Sequence, residues 1–168
     1  MSPQLEVMRE QIVALLPRLR RFARSLARDP HDADDLVQIA IEKALAKHEQ
    51  LHEEAGIARW MFGIVKNAWI DEVRARARRE RLLTDEAAGV TVADPLAPAH
   101  VDALAVADAL ARLPDEQRLA VGLVLIEGLS YKEAAYIMEV PIGTLTSRLA
   151  RARTALQDML RGSTGDTR

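Results

Sequence analysis

Apolar positions recur at intervals of three and four through most of the chain, and no stretch alternates with a period of two long enough to argue for a strand. Ile12, Leu15, Leu16, Leu19, Phe22, Ala23 and Leu26 form the first stripe. They predict an amphipathic helix that Pro17, lacking an N–H, should kink or restart. In "DPHDADDLVQIAIEKALAKHEQ" a second stripe runs through Leu36, Val37, Ala40, Ile41, Ala44 and Leu45. Asp32 is placed to cap that helix, with Asp34 and Asp35 at the positive end of its dipole. A polar loop around "LHEEAG" leads into "IARWMFGIVKNAWIDEVRARARRERLL", where Phe62, Val65, Trp69 and Val73 follow helical spacing.

Periodicity then lapses. "TDEAAGVTVADPLAPAH", Thr84 to His100, carries two prolines, a glycine and only acidic charge, and reads as a linker. Beyond it, "VDALAVADALARL" is a helix stopped by Pro114, and "DEQRLAVGLVLIEG" is an apolar helix ended by Gly128. Ser130 and Glu133 have the spacing of a capping box that opens "SYKEAAYIM". Val140 and Pro141 break the chain before a last helix, from Ile142 to about Leu160, with Gly162 placed to end it. The fold class is all-α: two small helical domains joined by a flexible linker. The expected boundaries are residues 1–83, a linker over 84–100, a second domain over 101–162, and a disordered tail over 163–168.

Composition narrows the function. No apolar run approaches the roughly 18 residues that cross a bilayer, and no basic start precedes an apolar stretch and a cleavage site, so the expected address is cytoplasmic. With no cysteine, the chain has no disulfide, thiolate zinc site or thiol chemistry. His31 stands beside Asp32, Asp34 and Asp35 only within the capping segment, and His48, His52 and His100 fall in loops without metal-ligand spacing. No phosphate-cradling glycine loop or nucleophile elbow is present, so neither a catalytic residue nor a cofactor is assigned and the chain is read as no enzyme. The net charge of −2 conceals a local pattern: +2 over residues 1–83, −4 over 84–102 and zero over 103–168. Arg74, Arg76, Arg78, Arg79 and Arg81 crowd the end of the third helix, and Arg148, Arg151 and Arg153 the last one.

The stretch "LSYKEAAYIMEVPIGTLTSRLARARTAL" has the form of a helix-turn-helix. Ala134 and Ala135 allow a close crossing, Ile137, Val140, Leu145 and Leu149 fill it, and Pro141 holds the turn. Thr144, Ser147, Arg148 and Arg151 then fall outward, where hydroxyls and guanidiniums meet phosphates and base edges. A solvated amphipathic surface helix fits the same pattern. In the third helix Asn67, Asp71, Arg74 and Arg78 share a face opposite Phe62, Val65 and Trp69, and Asp71 has the spacing to pair with Arg74. Trp69 reads as core; Trp60, at the helix start, fits either core or a base-stacking platform.

Three segments together resemble a known family. "LPDEQRLAVGLVLIEGLSYKEAAYIMEVPIGTLTSRLARARTAL" is similar to region 4 of bacterial RNA polymerase sigma factors of the extracytoplasmic-function (ECF, group 4) class. "DADDLVQ" resembles their region 2.2, and "WMFGIVKNAWIDEVRARAR" their regions 2.3 and 2.4. The resemblance implies a sigma factor that directs core RNA polymerase to promoters. Its helix-turn-helix would read the −35 duplex through Thr144, Thr146, Ser147, Arg148, Arg151 and Arg153. Its third helix would capture the melted −10 strand, with a flipped base, through Trp60, Lys66, Asn67, Arg74 and Arg78. Asp35, Gln38 and Glu42 would meet the β′ coiled coil of core polymerase, region 4 would meet the β flap, and an anti-sigma factor would bury these faces. Capping alone also accounts for the acidic start of the second helix. The alternatives are a helix-turn-helix transcriptional regulator that is not a sigma factor, and a helical adaptor that sequesters another protein.

This chain departs from the family pattern at Glu139, where the turn usually has glycine, and at Thr146 and Ala150 on the recognition helix.

Overall fold

The computed structural model describes residues 2–51, 56–83 and 101–164. Every regular element among them is helical. α1 spans Pro3–Leu26, α2 Pro30–Ala46, α3 Ile57–Leu82, α4 Val101–Arg112, α5 Asp115–Val121, α6 Tyr131–Met138 and α7 Ile142–Thr164. A short 3-10 turn, His48–Gln50, follows α2, and α5 widens at its end into one π turn, Gly122–Ile126. The expected linker, residues 84–100, and the last four residues lie outside the described ones.

Local chemistry explains the ends, and corrects several expectations. α1 does not restart at Pro17. Proline frees the carbonyl four residues back, and here both Pro17 and Val13 are exposed, so water can take the orphaned acceptor. α2 is capped by Asp29, not Asp32: Pro30 supplies a helical φ at the first position, and Asp29 Oδ1 accepts from the His31 N–H at 2.8 Å. Asp32 is thereby free to bind Arg76 of α3 at 3.0 Å. Asp71 pairs across to Lys43 of α2, at 3.6 Å, rather than with Arg74. α7 runs through Gly162 to Thr164.

α1, α2 and α3 form the first bundle around Leu19, Phe22, Leu36, Met61, Phe62 and Val65. Phe22 meets Phe62 edge-on, ring centroids 5.3 Å apart, the arrangement that opposite ends of two ring quadrupoles favour. α4 to α7 form the second, with Leu123, Leu145, Leu149 and Ala152 inside.

The two bundles are packed on each other, and their cores are continuous. α1 lies along α5 and its π turn, and α3 along α6. At the crossing, Gly122 is buried under α1: a Cβ there would stand 2.8 Å from Ser25 Oγ and 3.1 Å from the Phe22 ring. Arg118, 5% exposed, fastens the same junction. Its guanidinium donates to the carbonyls of Leu110, Ala111 and Leu113 at the end of α4, and to Leu26 at the end of α1, all at 2.9 Å. One cation thus donates to carbonyls at the ends of two helices, where the helix itself offers few partners. Burial lowers its pKa from the ordinary arginine value, with Asp115 acting against that shift.

Gly122→Val should therefore overpack the crossing and lower stability by about 1–3 kcal/mol. Urea unfolding of the full chain measures it, and an unchanged midpoint would mean that the two bundles do not meet there in solution.

Candidate nucleic-acid interface

The helix-turn-helix is built by three local devices. Ser130 and Glu133 close a reciprocal capping box: the Glu133 N–H donates to Ser130 Oγ, and the Ser130 N–H to Glu133 Oε2, both at 3.1 Å. Glu139 ends α6 in the left-handed region, φ 57 and ψ 43, and is the one non-glycine with positive φ among the described residues. The Val140 N–H then reaches back to the Ala135 carbonyl at 3.1 Å, as a Schellman turn requires. Holding a residue with a Cβ there costs about 1 kcal/mol relative to glycine. Finally, the Pro141 carbonyl accepts from Thr144 and Leu145, starting α7.

α7 buries Leu145, Leu149 and Ala152 against α5 and α6, which turns the opposite face outward. Thr146, Ser147, Arg151 and Arg153 are exposed, and Thr144 is half-buried. Thr146 Oγ1 donates to the Ile142 carbonyl at 2.9 Å, so its methyl and lone pairs are what it offers outward. Arg148 is half-buried and held by Glu116 of α5 at 3.2 Å.

On α3, Asn67, Arg74 and Arg78 are exposed along one face, in line with their spacing. Two neighbouring arginines are engaged, Arg76 with Asp32 and Arg79 with Glu72, the latter at 2.9 Å. Trp69 is core, at 5% exposure, and Trp60 is half-buried against that core. Lys66 is the exception among the expected contacts. It is 4% exposed, and its Nζ stands 3.7 Å from Glu139 Oε2 at the turn of the helix-turn-helix. The α3 spacing places Lys66 one position off the open face, but sequence offered no sign that Glu139, just past α6, would stand beside it.

On α2, Asp35, Gln38 and Glu42 are exposed as expected. Ile39, missed in the sequence reading, is 38% exposed between them. Positions 35, 38, 39 and 42 are one helix face at intervals of three, one and three. That spacing is legible in the sequence, but an isoleucine beside the buried stripe of Leu36, Val37 and Ala40 reads as part of it.

These features give two helical parts, one carrying a helix-turn-helix and the other an open cationic helix, the architecture of a transcription factor. Sigma-70 region 2 matches residues 12–79, and sigma-70 region 4 matches residues 103–156. The ECF RNA polymerase sigma factor EcfG of Rhodopseudomonas palustris is 35% identical over 158 residues, 94% of this chain and 87% of that protein. The ECF sigma factor SigM of Bacillus subtilis is 30% identical over 87% of this chain and 90% of its own length. The sigma factor RpoE of Bartonella quintana, solved in complex with the anti-sigma factor NepR, superposes with a TM-score of 0.81 at 32% identity, covering 95% of this chain and 98% of that one. The chain belongs to the ECF class of RNA polymerase sigma factors, which bring core polymerase to promoters and start transcription there.

Because the capping box sets the entry angle of α6, Ser130→Ala should cost about 1 kcal/mol of stability. Thermal unfolding monitored by helix signal reads this, and a loss indistinguishable from zero would mean that α6 does not depend on its cap.

Proposed function

We propose a division of labour among three faces of this sigma factor. Asp35, Gln38, Ile39 and Glu42 on α2 meet the β′ coiled coil of core polymerase, Ile39 supplying the apolar contact and the others its polar rim. Asn67, Arg74 and Arg78 on α3 hold the melted −10 strand, with Trp60 beside them at the helix start. Arginines there neutralise phosphates and asparagine reads a base edge. Thr144, Thr146, Ser147, Arg148, Arg151 and Arg153 on α7 meet the −35 duplex, and the domain they belong to docks on the β flap. Supporting this reading, the charged and polar side chains of all three faces, apart from Thr144 and Arg148, are exposed on separate helices within the matched regions.

The chain does no chemistry of its own on this reading. It positions a polymerase that does, in the cytoplasm where that polymerase works. No described helix is long and apolar enough to cross a membrane. By likeness to the Bartonella RpoE solved with NepR, an anti-sigma factor is its further partner. Residues 1–83 and 101–162 act as the two anchors, and joining them raises the effective concentration of each for the other's promoter element.

Run-off transcription with purified core polymerase on a randomised promoter pool tests the reading. Initiation that depends on the added chain is expected. Arg151→Ala should weaken −35 duplex binding about tenfold and reduce the salt slope by roughly one. Asn67→Ala should leave duplex binding intact and impair strand opening. Equal losses in both assays for both variants would contradict the division.

A further inference from the structure

Sigma activity requires the −10 and −35 faces to reach DNA elements apart from one another, yet in this structure the two halves grip each other through charged groups. Glu127, at the end of the π turn, has a side chain with no solvent exposure. Arg21 of α1 donates to both its carboxylate oxygens, at 2.9 and 3.1 Å, and Arg18 Nε donates to Oε2 at 3.2 Å. The carboxylate raises the Arg21 pKa above its ordinary value, chiefly through the hydrogen bond. On the other side of the contact, Arg59 of α3 lies over the ring of Tyr136 of α6, 4.6 Å from its centroid. Lys66 of α3 faces Glu139. The Glu139 side chain is 84% exposed, so this pair is weak for the glutamate, but Lys66 is 5% exposed and would otherwise be a buried, unpaired ammonium.

Glu139 thus occupies a backbone conformation that suits glycine, and its carboxylate reaches the other half of the molecule. The turn by itself gains nothing from a glutamate there.

We propose that Glu127 and Glu139 are a two-point latch that holds the free chain closed, and that Glu139 keeps Lys66 covered until the halves part. The latch is carried by residues of this chain alone. Its consequence, that opening frees a lysine for the −10 strand, rests on the assignment of α3 proposed above. A charged latch suits a reversible closure: its members are favourably hydrated once separated, whereas a wholly apolar seam would leave a sticky face on each half. Core polymerase, by binding the open form better, shifts the population toward it.

The test is lysine reactivity in the full-length wild-type chain, read by acetylation with an N-hydroxysuccinimide ester and peptide mass spectrometry. Lys47 and Lys132, both exposed, are internal standards. Lys66 should react at least tenfold more slowly than either. Glu139→Gly and Glu127→Gln should each raise the Lys66 rate several-fold while the standards stay unchanged. Glu139→Gly also relieves the left-handed strain, so its helix content and unfolding midpoint should be held or raised, which separates opening from unfolding. The latch is overturned if Lys66 reacts as fast as Lys132 in the wild type, or if neither variant changes its rate. Neither readout needs DNA or polymerase. Failure here leaves the sigma assignment of the faces intact, and failure of run-off transcription leaves the latch intact.

Discussion

A carboxylate cut off from water must be answered by positive charge, and Glu127 is answered by arginines more than a hundred residues away in sequence. That requirement fixes how the two halves of the molecule sit. Once Arg18 and Arg21 are committed to Glu127, α1 lies along α5, and Gly122 is the residue small enough to stand beneath Phe22 and Ser25. Arg118 makes a second demand of the same kind. As a buried guanidinium it collects four carbonyls, and one of them belongs to α1. Charge pairing sets the register in which the halves close, while the continuous apolar core supplies the driving area, because Glu127 and its arginines regain water once the halves part.

The faces proposed to serve transcription are arranged around this closure. Arg74 and Arg78 on α3, Arg151 and Arg153 on α7, and the α2 face from Asp35 to Glu42 all remain open to solvent while the halves are packed. Of the expected cationic contacts, Lys66 is buried beside Glu139 of the other half, and Arg148 is half-buried against Glu116 within its own. A near-neutral chain has little grip on DNA at large, since non-specific affinity grows with the number of phosphates neutralised. On the function proposed here, polymerase supplies the remaining affinity and promoter choice stays coupled to assembly of the holoenzyme.

The helices, the helix-turn-helix and its capping box were legible in the sequence because each is written in local spacing: stripes at three and four, Ser130 three residues before Glu133, Gly128 and Pro114 at breaks. Glu139 was legible as a departure, and its left-handed backbone bears that out. What spacing could not supply was pairing at a distance. By position before the apolar stripe Asp32 reads as a cap, whereas Pro30 starts the helix earlier and releases Asp32 to Arg76. Spacing offers Asp71 a partner one turn away in Arg74, but the residue it meets is Lys43 on the preceding helix. Glu127 reads in sequence as an ordinary surface glutamate before a glycine, and Arg118 as an ordinary helix arginine. Nothing local marks either as buried, because their burial depends on which helices meet.

The central claim is that the chain by itself holds its two halves together and that polymerase draws them apart. Since the sequence has no cysteine, spin labels can be placed on Ala46→Cys in α2 and Gln157→Cys in α7, both exposed, with no competing thiol. Pulsed electron–electron resonance between them should give one narrow, short distance distribution for the free chain, moving to longer distances when core polymerase is added. A broad, long distribution in the free chain, unchanged by polymerase, would contradict the account.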